Sequence, residues 1–235
     1  MKKDKKEELI EEGHKKREAL LVAIQNGDSH AVNAIRESMK PFYPIMAEIF
    51  NRVSDNKVRS FKNILFSGNT LYSYFAEKGG LPASLSHYMT GKYSILIEHA
   101  TTIDQLEEIQ ENMLKDYADV NLRIFSNEDL SVVDRVVNYI NINFMEDITI
   151  DDIAKKNHVH PNHLMRAFKK EKGMTISQFR RKRRILEAKD LLIHSSLSIT
   201  DIAVTIGFDT PQYFSKIFKV EEGITPKDFR KEKRK

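Results

Sequence analysis

No cysteine occurs among the 235 residues of the chain. That excludes a disulfide framework, a thiol nucleophile and any thiolate metal site. Long apolar runs are lacking as well, since no stretch approaches the roughly 18 to 20 residues needed to span a bilayer. The opening Met1-Lys2-Lys3-Asp4-Lys5-Lys6 leads into Glu7-Glu8 and not into the apolar core of a signal peptide. A cytoplasmic, nucleoid-associated location and no membrane contact are therefore expected. Period-two alternation is missing too, so no sheet is expected and the fold class reads as all-α.

What is present is 40% hydrophobic and 31% charged, a composition that fits a soluble globular protein of two domains at this length. The net charge of +4 hides a division: residues 131–235 carry 21 Lys and Arg against 14 Asp and Glu, and residues 1–130 carry 17 against 20. A basic module joined to a mildly acidic one suits polyanion binding by one half only, because phosphate neutralisation supplies much of such affinity. A Lys-rich solvated surface would give the same charge, so composition alone does not decide between them.

The strongest pattern is an internal repeat. Arg166, Phe168, Lys169, Glu171, Gly173, Thr175, Phe179 and Arg180 recur fifty positions later as Lys216, Phe218, Lys219, Glu221, Gly223, Thr225, Phe229 and Arg230. Upstream, Asp152-Ile153-Ala154 recurs as Asp201-Ile202-Ala203 at an offset of forty-nine, so the second copy carries one extra residue in its turn.

Residues 1–125 read as an all-helical regulatory or oligomerisation domain. Leu9, Ile10, Leu20, Leu21, Ile24, Val32 and Ile35 keep helical spacing, with a turn at Asn26-Gly27-Asp28 and a cap at Asp28 or Ser29. Pro41 and Pro44 punctuate the chain before an amphipathic turn or two over Ile45–Val53. A longer helix over Val58–Ala76 stops at Gly79-Gly80, where a left-handed cap is easily supplied. Further helices follow over Ser84–Glu98 and from Thr102. The aromatic and Met residues of this half, among them Met39, Phe42, Tyr43, Met46, Phe50, Phe61, Phe66, Tyr72, Tyr74 and Phe75, read as core more readily than as a ligand pocket. Arg123–Leu130 is the expected boundary, with a cap at Ser126 or Ser131 before the next apolar stripe.

Residues 126–235 read as two helix-turn-helix units, about 149–171 and 198–221, joined by a connector helix over Ile176–Ile193. Thr149 starts the first support helix, and His160-Pro161 starts a second helix that turns Leu164, Ala167 and Phe168 inward. Its outer face offers Arg166 for guanine O6 and N7, Asn162 for adenine and Met165 for a thymine methyl. The second unit repeats the scheme: a support helix near Thr200, a Gly207-Phe208 turn, and a Thr210-Pro211 start. Phe214, Ile217 and Phe218 turn inward there, and Gln212, Ser215 and Lys216 are the candidate base contacts. Lys169, Lys170, Arg180, Arg181, Arg183 and Lys219 are candidate phosphate contacts, with backbone N–H groups near Thr149 and Thr200. The connector's Arg180-Arg181-Lys182-Arg183-Arg184 is expected on its outer surface.

These residues closely resemble the AraC/XylS family of bacterial transcription regulators, over about residues 131–232. The likeness is densest in Ile202-Ala203, Gly207-Phe208, Tyr213-Phe214-Ser215, Phe218-Lys219, Gly223, Thr225-Pro226 and Phe229-Arg230, with Arg184-Ile185, Ala188-Lys189 and Leu191-Leu192 in the connector. The resemblance implies two helix-turn-helix units on a long helix, and puts the family's base-contacting sites on Asn162, Met165, Arg166, Gln212, Ser215 and Lys216. His160 departs from the small hydroxyl residue usual at that cap. Residues 58–80 more weakly resemble a helical segment found ahead of this domain in some members. Many relatives carry a β-barrel sugar sensor instead, which nothing in residues 1–125 matches. The implied partner is double-stranded promoter DNA; RNA polymerase, a small-molecule effector and a second copy of the chain bound through residues 1–125 are the further candidates.

Rival functions are a metal sensor built on His158, His160 and His163, and an architectural or RNA-binding protein. The histidines lack a Cys or carboxylate trio to close a site, so no metal and no cofactor are expected. Family-like DNA-repair methyl acceptors need a reactive Cys, so no enzyme activity is expected either.

Overall fold

Helix follows helix, as the 3.6-residue spacing of apolar positions requires. The computed structural model describes residues 2–39, 56–123 and 130–233, with side chains from residue 7 onward. The chain divides into two compact units, Met1–Phe125 and Ser126–Lys235. Among the described residues no strand occurs and no helix is long and apolar enough to cross a membrane.

In the N-terminal unit, α1 (Lys2–Gln25), α2 (Ser29–Met39), α3 (Lys57–Lys78), α4 (Ala83–His99) and α5 (Ile103–Tyr117) precede a 3-10 turn at Val120–Leu122. Asp28 caps α2 by accepting the Ala31 N–H at 2.9 Å. Thr102 and Gln105 form a capping box on α5. The left-handed residue after α3 is Gly80 (φ +93), whereas Gly79 has φ −86. Gly79 is required for a different reason: a Cβ there would lie 1.7 Å from the Gln25 carbonyl oxygen, where α1 ends against α3. Leu9 and Ile10 do not join the core, whose α1 members are Leu20, Leu21, Ala23 and Ile24. Of the aromatic and Met residues considered for a pocket, Tyr72 is buried, Tyr74 is exposed, and Met39, Phe61, Phe66 and Phe75 are half-buried. Phe42, Tyr43, Met46, Phe50, Pro41, Pro44, the turns over 45–53 and the cap at Ser126 lie outside the described residues.

Arg123 belongs to this core and not to the boundary. It is 1% exposed. Its guanidinium donates to Ile24 O at 2.8 Å, to Ala76 O at 3.1 Å and to Tyr117 O. Those carbonyls lie in the last turns of α1, α3 and α5, so one buried cation meets three converging negative helix ends. Burial lowers its pKa, with Asp119 opposing the shift.

In the C-terminal unit, α6 (Val132–Asn143), capped by Ser131, leads to the first copy of the repeat, α7 (Ile150–Lys156) and α8 (Pro161–Lys172). The connector α9 (Ile176–His194) joins it to the second copy, α10 (Ile199–Thr205) and α11 (Pro211–Glu222), and α12 (Pro226–Lys233) follows. Val133, Val136, Ile140, Ile153, Ala154, Leu164, Phe168 and Ile176 form the first core. Leu191, Leu192, Ile202, Ala203, Phe214, Ile217, Phe218 and Phe229 are buried in the second. Phe168 and Phe218 are fully buried, a burial worth on the order of 3 to 5 kcal/mol against alanine.

The repeat holds at the level of contacts. Phe168 meets Phe179 edge-on at 5.6 Å, and Phe218 meets Phe229 at 5.3 Å. Arg180 donates to Ile148 O at 2.7 Å, and Arg230 donates to Leu197 O at 2.6 Å. Gly173 (φ +68) and Gly223 (φ +81) end the two second helices in the left-handed region.

Candidate nucleic-acid interface

Each copy sets one helix with its inner face buried and its outer face open. On α8, Leu164 and Phe168 are buried, while Asn162, His163, Met165, Arg166, Lys169 and Lys170 are exposed. On α11, Phe214, Ile217 and Phe218 are buried; Gln212, Tyr213, Lys216 and Lys219 are exposed and Ser215 is half-buried. All six candidate base-contacting residues therefore lie on two matched helix faces, with Pro161 and Pro211 at the first position of each.

The starts of the two helices are built differently. Thr210 accepts the Tyr213 N–H at 3.2 Å. His160 fills the same role through its ring, Nδ1 accepting the Asn162 N–H at 3.2 Å. The departure at this position therefore still yields a capped helix. Arg166 Nε donates to Asn162 O at 3.2 Å, which leaves the rest of its guanidinium fork for other acceptors.

The support helices need one correction. Thr149 caps α7, sharing a capping box with Asp152, and those hydrogen bonds hold the Asp152 carboxyl below its usual range. The corresponding cap of α10 is Ser198, boxed with Asp201, so Thr200 lies inside the helix and not at its start. The box takes the Ser198 and Asp201 N–H groups, so the free ones are those of Ile199 and Thr200, and the forty-nine-residue offset aligns Thr149 with Ser198.

The connector's basic run needs a larger one. Arg184 is 8% exposed and faces inward. It donates to Phe144 O at 2.6 Å, to Glu146 O at 3.1 Å, to Met145 O at 3.3 Å and to Gly207 O. Burial lowers its pKa to about 10, with the nearby Arg180 charge adding to the shift. Arg183 stacks over the Phe144 ring at 4.6 Å and pairs with Glu187 at 2.5 Å. Arg180 is committed to Ile148 O, Arg181 is half-buried, and Lys182 is exposed. A straight helix turns residues four apart to one face, and Ile176, Arg180, Arg184 and Ala188 form such a row. That row was the signal that Arg184 ties the two copies together: its guanidinium holds the segment ahead of the first copy and the turn of the second. Gly207 sits in that tie with φ +83, and a Cβ on it would lie 2.1 Å from Met145 O.

Residues 153–232 match the family model described as a helix-turn-helix domain. This region is an AraC-type helix-turn-helix domain. The lactose operon transcription activator of Staphylococcus xylosus is 37% identical over 92 residues, covering 39% of this chain and 32% of that protein. The bifunctional transcriptional activator/DNA repair enzyme AdaA of Bacillus subtilis is 38% identical over 90 residues, covering 38% of this chain and 43% of that one. Among solved structures, the C-terminal domain of AraT, a response regulator from Geobacillus stearothermophilus, is 33% identical, covers 45% of this chain and 88% of its own, and has a TM-score of 0.43. The chain thus matches less than half the length of these two curated relatives.

Within the AraC-type domain the three histidines take separate roles. His158 holds a turn at φ +54, His160 caps α8, and His163 lies exposed on the outer face. Among the described residues no group of three or more His, Cys, Asp or Glu is placed to hold a metal ion.

Proposed function

We propose that the chain is a sequence-specific DNA-binding transcription regulator whose AraC-type domain reads two successive major-groove segments of one duplex. The observation that carries this reading is the pairing of two identically braced helices whose outward residues differ: Asn162, Met165 and Arg166 on one, Gln212, Ser215 and Lys216 on the other. Arg166 serves guanine, Asn162 and Gln212 serve adenine, Met165 a thymine methyl, and Ser215 and Lys216 further base edges. The 19-residue connector spans about 28 Å, near the roughly 34 Å between successive major-groove faces. Lys169, Lys170 and Lys219 neutralise phosphates, and the capped N-termini at Thr149 and Ser198 offer backbone N–H groups. Most of the related proteins found are regulators, and with no cysteine the chain has no thiol to accept a methyl group.

Residues 1–125 act as the regulatory and self-association domain, supported by their separate core and opposite charge. The chain works in the cytoplasm on nucleoid DNA, with RNA polymerase and a small-molecule effector as further partners. Footprinting tests the central reading: protection should cover about two helical turns, and log K should fall with log salt at a slope of roughly −3 if Lys169, Lys170 and Lys219 neutralise phosphates. Protection confined to one groove segment, or no preference among duplex sequences, would refute it.

A further inference from the structure

The cleft between the two helix-turn-helix copies carries more positive charge than its hydrogen bonds absorb. It encloses about 460 Å³, and three guanidiniums line it: Arg180, Arg181 and Arg184. Arg184 gives four of its five N–H groups to backbone carbonyls, and Asp147 and Asp209, which also line the cleft, lie within electrostatic reach of it. Arg180 gives one N–H to Ile148 O and adds a like charge beside Arg184. Arg181 differs from both, because its Nε is buried and makes no hydrogen bond among the described residues.

A buried donor without an acceptor is rare in native structures, and a cluster of like charges raises its cost. An acceptor that is anionic and able to take several N–H groups at once would answer both the unpaired donor and the local charge. A phosphoryl group fits, since its oxygens match the guanidinium fork. Ser177, in the first turn of α9, adds a hydroxyl and a helix N-terminus to the lining. Tyr213, in the first turn of the reading helix α11, borders the same cleft. An anion seated there lies beside one reader and between the two copies, where a DNA backbone crossing from one major-groove segment to the next would pass.

We propose that this cleft is a phosphoryl-anion site in which Arg181, with Arg180 beside it, receives the oxyanion. The placement beside a reader rests on the DNA-binding reading above; the site itself does not. Two sources share the chemistry: a backbone phosphate of the bound duplex and a free phosphate compound. Inorganic phosphate titrated into the full chain should shift the Arg181 Nε–H resonance saturably in the millimolar range, and sodium chloride of equal ionic strength should not. The backbone N–H resonances of Ser177 and Tyr213, which line the same cleft, should move with it, and Arg181→Gln should abolish their movement. On a duplex carrying both groove segments, Arg181→Gln should weaken binding about fivefold and reduce the salt slope by about one. On a duplex carrying a single segment it should change affinity less than about twofold. A loss on the two-segment duplex assigns the site to DNA phosphate; phosphate binding with unchanged DNA affinity assigns it to a free ligand. If neither response appears, the proposal is wrong. If the wild-type chain binds no duplex at all, the regulator reading fails while the phosphate titration still decides the cleft, and it decides alone if Arg181→Gln fails to fold.

Discussion

The two copies of the repeat share their scaffold and differ on their faces. Both hold an edge-on phenylalanine pair, a left-handed glycine and an arginine that reaches back to the carbonyl ahead of the support helix. Asn162, His163, Met165 and Arg166 in one copy stand where the other has Gln212, Tyr213, Ser215 and Lys216. The buried residues that repeat hold the fold, exposed Lys169 repeats as Lys219 with its charge kept, and the residues that diverge are those left facing outward. By that criterion Arg180, repeated as Arg230, is a brace. Arg166, replaced by Lys216, belongs to the outward face.

The turns give the widest contrast. His158 (φ +54) and Gly207 (φ +83) occupy corresponding left-handed positions. A side chain on Gly207 would strike Met145 O, whereas His158 is exposed. Gly207→Ala is expected to destabilise the C-terminal unit by about 3 kcal/mol or more, from backbone strain plus that collision. For His158→Gly, relief of left-handed strain of about 1 kcal/mol is offset by a similar loss from the more flexible unfolded chain, so the change should stay within about 0.5 kcal/mol of zero. Urea melts of both variants check this, and a Gly207→Ala protein as stable as the parent would show that the tie through Arg184 is dispensable.

A second contrast concerns the faces. Arg166→Ala should lose roughly 1 to 3 kcal/mol on a preferred duplex and relax discrimination at one base pair. Lys216→Ala should relax discrimination at a different position, about one helical turn away. Binding to a library of single-substitution duplexes separates the two. Equal weakening on every sequence would make Arg166 a phosphate contact and remove the proposed distinction between the faces.

Much of this architecture was legible because helical periodicity and capping are local. The Thr102 and Thr149 caps, the proline starts at Pro161 and Pro211, and the inward Leu164, Phe168, Phe214 and Phe218 all follow from residues within one turn of each other. Arg123 and Arg184 were misplaced because their environment is made by distant segments: Arg123 meets Ile24 from 99 residues away, and Arg184 meets Phe144 from 40. A long basic side chain scores as solvent-facing in any local reading, and only the row of inward residues four apart marked Arg184. The extra residue of the second turn was countable from the change of offset. Its position at Asp209 emerges from hydrogen bonds, since Val159 N to Ala154 O at 3.1 Å corresponds to Phe208 N to Ala203 O at 2.8 Å.

The smallest expected difference lies at the caps of the two reading helices. Thr210 accepts the N–H of the third residue of its helix through a short hydroxyl, while His160 accepts that of the second residue through an imidazole ring. Both bonds measure 3.2 Å, so the difference rests on what each side chain gives up. The ring must be fixed about two torsions and kept in the tautomer with Nδ1 as acceptor; threonine needs one torsion and sits in the extended backbone that favours it. Exchanging the caps therefore isolates this effect on a common scaffold. His160→Thr should stabilise the C-terminal unit by about 0.5 kcal/mol and Thr210→His should destabilise it by about the same amount. The double exchange should fall near the parent, because the two caps sit on separate copies of the repeat and effects at separate sites add. Equilibrium urea unfolding with a probe for the C-terminal unit measures all three. If His160→Thr lost stability instead, the ring at position 160 would have a packing role beyond the cap.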